Sequence, residues 1–220
     1  AIIDEQHRFG VYQRLEFSKK SPLTDFMLMT ATPIPRTLVL ANYGDMDLSV
    51  LNEKPKNRPN IKTISTSIPR INEVIKAIKS EIDKGNQIFW VCPLVNDSEK
   101  LDLAAAESRA KYLENYIPNK IILIHGQMST EERDIKLKDF SENKKPVLVS
   151  TTVIEVGIDI PNATVMIIEH AERFGLAQLH QLRGRIGRGI KESVCILLYD
   201  PKLGDVAKKR LSVMRNTNNG

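Results

Sequence analysis

Six short apolar runs, at residues 26–30, 87–92, 120–124, 146–150, 164–169 and 193–199, are spread along the chain and are almost unbroken. A half-exposed strand alternates polar and apolar side chains, whereas an unbroken run needs cover on both faces. Helical patterns lie between the runs. Ile71, Val74, Ile75, Ile78 and Ile82 form one apolar stripe at helical spacing, and Gly85 follows as a stop. Ser129 stands three residues before Glu132, a capping-box spacing that opens a helix to about Phe140. Alternation of this kind predicts an α/β fold: an open, mostly parallel sheet with flanking helices and right-handed crossovers.

Residues 52–59, NEKPKNRP, are polar and carry two prolines, and they read as a linker. Residues 1–56 are too few to bury a core of their own, so they are expected to be the tail of a first domain. There is no initiating Met, and Ile2-Ile3 reads as the end of a buried strand. Residues 57–203 suffice for a complete second domain. Residues 204–220 form a third segment, and its polar end, Asn216-Thr217-Asn218-Asn219-Gly220, is expected to be disordered.

The formal charge is +5, but it is uneven: residues 171–220 hold ten basic and four acidic side chains. That bias suits a polyanion, either nucleic acid or nucleotide phosphate, although a solvated helix face gives the same count. No apolar run approaches the roughly 18 residues of a membrane span, and no secretory leader is expected. Cys92 and Cys195 lie far apart in apolar runs, which predicts buried, reduced thiols in a cytoplasmic protein rather than a disulfide or a metal site.

Four stretches carry candidate chemistry. Ile2-Ile3-Asp4-Glu5-Gln6-His7 is an apolar strand ending in two carboxylates. Beyond the carboxyl end of a parallel strand, one carboxylate can hold Mg²⁺ and a second can orient a water for attack on a γ-phosphate; a capping or surface acid looks the same. Thr30-Ala31-Thr32 precedes Pro33 and Pro35, which is either an N-cap with a rigid turn or a hydroxyl relay. The segment at 150–161, STTVIEVGIDIP, follows a strand, where its hydroxyls and amides can meet a phosphodiester or simply cap a helix. The segment at 181–189, QLRGRIGRG, is the strongest feature. Arg185 and Arg188 share a face if helical, and guanidinium forks suit bidentate phosphate contact.

In this order the stretches resemble motifs II, III, V and VI of the superfamily 2 helicases. Further stretches at 4–14 (DEQHRFGVYQR), 30–38 (TATPIPRTL), 43–49 (YGDMDLS), 93–103 (PLVNDSEKLDL), 150–163 (STTVIEVGIDIPNA) and 171–188 (AERFGLAQLHQLRGRIGR) resemble the bacterial helicases that remodel replication forks. The likeness covers essentially the whole chain. Transcription-repair coupling translocases share TATPIPRTL and are the alternative; His7 favours the fork-remodelling group.

The resemblance implies two RecA-like domains, ATP and Mg²⁺ as cofactors, and branched or single-stranded DNA as partner, in a soluble monomer with no membrane contact. It implies that Asp4 positions Mg²⁺ and that Glu5 polarises the attacking water. Gln6 and His7 would couple that site to Thr30 and Thr32. Gly157, Asp159 and Gln181 would face the nucleotide, and Arg185 and Arg188 would reach its phosphates. His125, Gly126, Thr151 and Thr152 would lie along the DNA backbone, and residues from about 204 would begin a translocation hairpin. A phosphate-binding loop, G-x-x-x-x-G-K-[ST], is expected of such an enzyme, yet none of the eleven glycines is followed by Lys. The chain is therefore expected to be a helicase-core fragment that needs a missing N-terminal half and does not hydrolyse ATP alone. A non-catalytic DNA-binding remnant of a split gene is the other reading.

Overall fold

The computed structural model describes residues 1–3, 25, 27–29, 47, 49–51, 59–93, 99–151 and 160–217. The chain divides into two compact units, Ala1–Asn52 and Glu53–Asn219. In the first unit, β1 (Ile2–Ile3) pairs in parallel with β2 (Met27–Leu28). The Met27 and Met29 amides donate to the Ala1 and Ile3 carbonyls, both at 2.8 Å.

The second unit is built on β3 (Ile61–Ser67), β4 (Gln87–Val91), β5 (Ile121–Ile124), β6 (Val147–Ser150), β7 (Ala163–Ile168) and β8 (Ser193–Tyr199). They form a six-stranded sheet in the order β3-β8-β7-β4-β6-β5, with every pairing parallel. The helices are α1 (Ile71–Asp83), α2 (Glu99–Glu114), α3 (Thr130–Ser141), α4 (Leu176–Arg183) and α5 (Asp205–Asn216).

Alternating side chains of the strands feed two cores. Ile88, Trp90, Val147, Val149, Val165 and Ile167 meet α1 and α2 on one face. Phe89, Val91, Leu148, Met166, Ile168 and Leu197 meet Phe140 of α3, Leu179 and Leu182 of α4, and Leu211 and Met214 of α5 on the other. Cover on both faces explains why these strands read as unbroken apolar runs. The predicted stripe of α1 is the buried one, all five of its apolar residues being inside. Ser129 caps α3, its Oγ accepting from the Glu132 amide at 3.1 Å. The Glu132 carboxylate meets Lys136 at 3.3 Å.

Three expectations need correction. First, β3 is absent from the predicted strands. Its sequence, IKTISTS, is mostly polar, because it is bonded only to β8 among the described residues and Thr63 alone of its seven residues is fully buried. Second, Arg185 and Arg188 do not share a helical face: α4 stops at Arg183, and the chain leaves it through a turn at Gly184. Third, helix α5 runs further than the polar tail suggested: Asn216 is its last residue, and the Thr217 amide donates to the Val213 carbonyl at 3.0 Å. Residues 218–220 lie outside the described residues.

Candidate functional site

A parallel sheet has two unlike ends, and this one presents different chemistry at each. At the carboxyl end, β5 and β6 run side by side with Ile124 opposite Ser150. The next residues, His125 and Thr151, therefore leave neighbouring strands about 4.8 Å apart. Thr151 is buried, His125 half-buried and Gly126 exposed. Two polar atoms here, His125 Nδ1 and Ser150 Oγ, are buried with no hydrogen-bond partner among the described residues. A buried orphan of this kind costs about 1–3 kcal/mol until something bonds to it. Ser150 was not among the predicted site residues; its place as the last residue of an apolar run was the available signal.

Beside this pair the sheet has a topological switch. The chain leaves β4 through α2 towards β5, and leaves β7 through α4 towards β8, although β4 and β7 are neighbours. Such divergence opens a crevice beyond the carboxyl ends of the strands. Glu169 sits there, almost fully buried. Its carboxylate accepts from Trp90 Nε1 at 3.0 Å and from the fork of Arg109, which bonds both oxygens. The Arg109 guanidinium lies over the rings of Trp90 and Tyr112, at 5.8 and 5.2 Å. Sequence reasoning missed this network because its members stand on three elements. Cys92 lies in the core on the same face of the sheet, and burial pushes its thiol pKa up. Burial also raises the Cys195 thiol, to about 12, so both cysteines are free and protonated.

The amino end of the sheet carries the basic segment. Helix α4 runs back from the carboxyl end of β7 and delivers residues 184–192 to the start of β8. Gln181 and Arg185 are half-buried there and Arg188 is exposed, its Nε 3.5 Å from the Gly184 carbonyl. Ile186 is fully buried and pins the turn. Gly187 has φ +68°, and a Cβ on it would meet Ile61 at 2.9 Å. A Cβ on Gly189 would come within 2.8 Å of the Pro161 carbonyl oxygen. The loop that follows α4 is thus pressed against the residues that end the STTVIEVGIDIP segment. Lys191 Nζ donates to Asn86 Oδ1 at 2.9 Å across the same end.

The other predicted site residues, Asp4, Glu5, Gln6, His7, Thr30, Thr32, Thr152, Gly157 and Asp159, lie outside the described residues. Among the described residues no cluster of three His, Cys, Asp or Glu side chains is arranged to hold a metal ion. No described helix is long and apolar enough to cross a membrane.

A parallel sheet covered on both faces, with a Gly-Arg loop at one end and strand-end hydroxyls at the other, is the arrangement of a RecA-like domain. Residues 69–189 match the family described as the helicase conserved C-terminal domain, and the chain belongs to that family. Among curated relatives it is similar to the ATP-dependent DNA helicase RecG of Acidithiobacillus ferridurans, 48% identical over 220 residues, covering 100% of this chain and 32% of that protein. It is 44% identical to RecG of Bacillus subtilis over 221 residues, again covering 100% of this chain and 32% of the relative. The chain thus spans about a third of the length of these relatives. Among solved structures it is similar to RecG bound to a three-way DNA junction, with a TM-score of 0.79 at 44% identity, covering 98% of this chain and 28% of that one. S. cerevisiae Dbp5 bound to RNA and ADP BeF3 matches with a TM-score of 0.66 at 16% identity, covering 97% of this chain and 56% of that one, and shares the fold alone. The six-stranded unit is a RecA-like helicase C-terminal domain.

Proposed function

We propose that this chain supplies the second motor lobe of an ATP-driven helicase or translocase that remodels branched DNA in recombination and repair. In this reading the two ends of the sheet meet two kinds of phosphate. Arg185 and Arg188, with Gln181, face the triphosphate at the amino end, and Gly157 and Asp159 would serve the same nucleotide. His125, Gly126 and Thr151 follow the DNA backbone at the carboxyl end, and Thr152 would serve the same backbone. Asp4 would hold Mg²⁺ and Glu5 would orient water, with Gln6, His7, Thr30 and Thr32 relaying between the sites. Bound ATP with Mg²⁺ supplies the phosphoryl group whose loss drives movement. The guanidinium forks supply charge that stabilises its departure.

The observation that carries the reading is the pair of buried atoms, His125 Nδ1 and Ser150 Oγ, at adjoining strand ends, which have no hydrogen-bond partner among the described residues. Orphaned polar atoms fit a ligand that brings its own hydrogen-bonding groups, and phosphate and sugar oxygens do so without regard to sequence. The phosphate-binding loop is not in this sequence, so the 220-residue polypeptide alone is proposed not to hydrolyse ATP.

Salt titration of single-stranded DNA binding tests the DNA half of the proposal. The logarithm of affinity is expected to fall with that of salt, at a slope of about −0.7 per phosphate neutralised. Thr151→Val and His125→Ala are expected to weaken binding alike on all sequences. A flat salt response, or variants that bind as the parent does, contradicts the proposal.

A further inference from the structure

Arg183 is a buried cation with no carboxylate among its hydrogen-bond acceptors in the described residues. It is 5% exposed, on the face of α4 that also buries Leu179 and Leu182. Its Nη1 shares its protons among the Thr63 hydroxyl at 3.3 Å, the Met214 carbonyl at 3.0 Å and the Thr217 carbonyl at 2.6 Å. Its Nη2 donates to His180 Nδ1 at 3.0 Å. Burial lowers its pKa, as expected where no anion offsets the lost hydration. The charge instead meets the carbonyl end of α5, where a helix presents its partial negative charge. A buried charge is costly to keep unless fully bonded, and a leucine or methionine would fill this volume without that cost.

The position of the charge explains what it provides. Arg183 is the last residue of α4, and its own carbonyl accepts from the Ile186 amide at 3.3 Å, inside the turn that leads to Arg188. Burial of Ile186 fixes how deep the turn sits. Close packing of Gly187 on Ile61 and of Gly189 on Pro161 holds the far half of the loop. The guanidinium holds the near half, where α4 ends, because its planar fork is bonded at once to β3, to α4 and to the end of α5. We propose that Arg183 is a positioning residue for the 184–189 loop, setting the direction in which Arg185 and Arg188 project. The proposal rests on the reading that these two arginines face a nucleotide.

Two measurements test it, the first independent of nucleotide. Backbone hydrogen exchange of the 220-residue chain is compared for the parent, Arg183→Met, Arg183→Lys and Thr63→Val. Arg183→Met is expected to raise exchange in residues 184–189 and 214–217 together, and to leave β4 to β7 unchanged. Lys, a point charge without a fork, is expected to restore only part of the protection. Thr63→Val removes one of the four bonds and guards against a fold lost in the bulkier change. The second measurement is ATP turnover of the chain mixed with a polypeptide carrying the phosphate-binding half. A misdirected finger is expected to lower kcat about 10- to 100-fold. KM is expected to change little, as for a contact made only in the transition state.

Unchanged exchange at 184–189 in Arg183→Met overturns the proposal whatever the turnover. Raised exchange with parental kcat overturns it equally. If the parent mixture itself shows no turnover, the nucleotide reading fails, and the exchange data alone decide the positioning role of Arg183.

Discussion

His180 accepts the Arg183 hydrogen bond at Nδ1, because a guanidinium can only donate, so its proton sits on Nε2. Burial, and then the Arg183 charge, hold its pKa below the ordinary 6.5. Below about pH 6.5 the unfolded chain therefore binds more protons at this site than the folded one, and stability falls as pH drops. Above that pH the contribution is fully present and constant. Urea midpoints at pH 7.5 and 5.5 are expected to differ less for His180→Asn, which keeps an acceptor but does not titrate, than for the parent. An equal fall in both would remove His180 from the account. Residue-scale features of this kind were the least legible in the sequence. Arg183 stood in the Gly-Arg segment as one more basic residue. Its signal was its place on the stripe of Leu179, Leu182 and Ile186, where a solvated cation does not belong.

Secondary elements were far more legible, for a physical reason. Strands covered on both faces must be apolar throughout, and five of the six runs coincide with β4 to β8 to within one residue at either end. The sixth covers β2 and extends into residues that are not described. The exception, β3, shows the limit of that logic: an edge strand half open to water is free to be polar. Helix α1 was equally plain, since its stripe lies against the α1–α2 core. Ile78, 1% exposed at the centre of that stripe, is the strongest test. Ile78→Ala is expected to cost about 2–5 kcal/mol in urea unfolding, with the cavity adding to the lost burial. A cost under 1 kcal/mol would mean that α1 is not docked as described. Glu169→Gln tests the opposite face of the logic, since it leaves the half-buried Arg109 charge unmatched. It is expected to destabilise by about 1–3 kcal/mol, measured the same way. A neutral result would show the ion pair to be dispensable.

On the scale of the whole molecule, the larger unit is polar from one end of its sheet to the other. All six strands of the larger unit point one way, so the sheet has a carboxyl end and an amino end with different residues at each. The uneven charge of the sequence takes its meaning from that arrangement. Arg185 and Arg188 stand at the amino end, away from the strand-end hydroxyls. They are proposed to serve nucleotide phosphate there, and the hydroxyls to serve the DNA backbone. The motifs announced both sets of residues, but their separation to opposite ends needed the strand order, which no single motif contains. The remainder of the machine is proposed to lie in the two thirds of the related helicases that this chain does not span. Phosphate release with and without DNA tests this most directly. The 220-residue chain alone is predicted to release none above background, and mixing with a polypeptide carrying the phosphate-binding half is predicted to restore DNA-stimulated release. Robust DNA-stimulated turnover by the chain alone, or none from the mixture, would contradict the account.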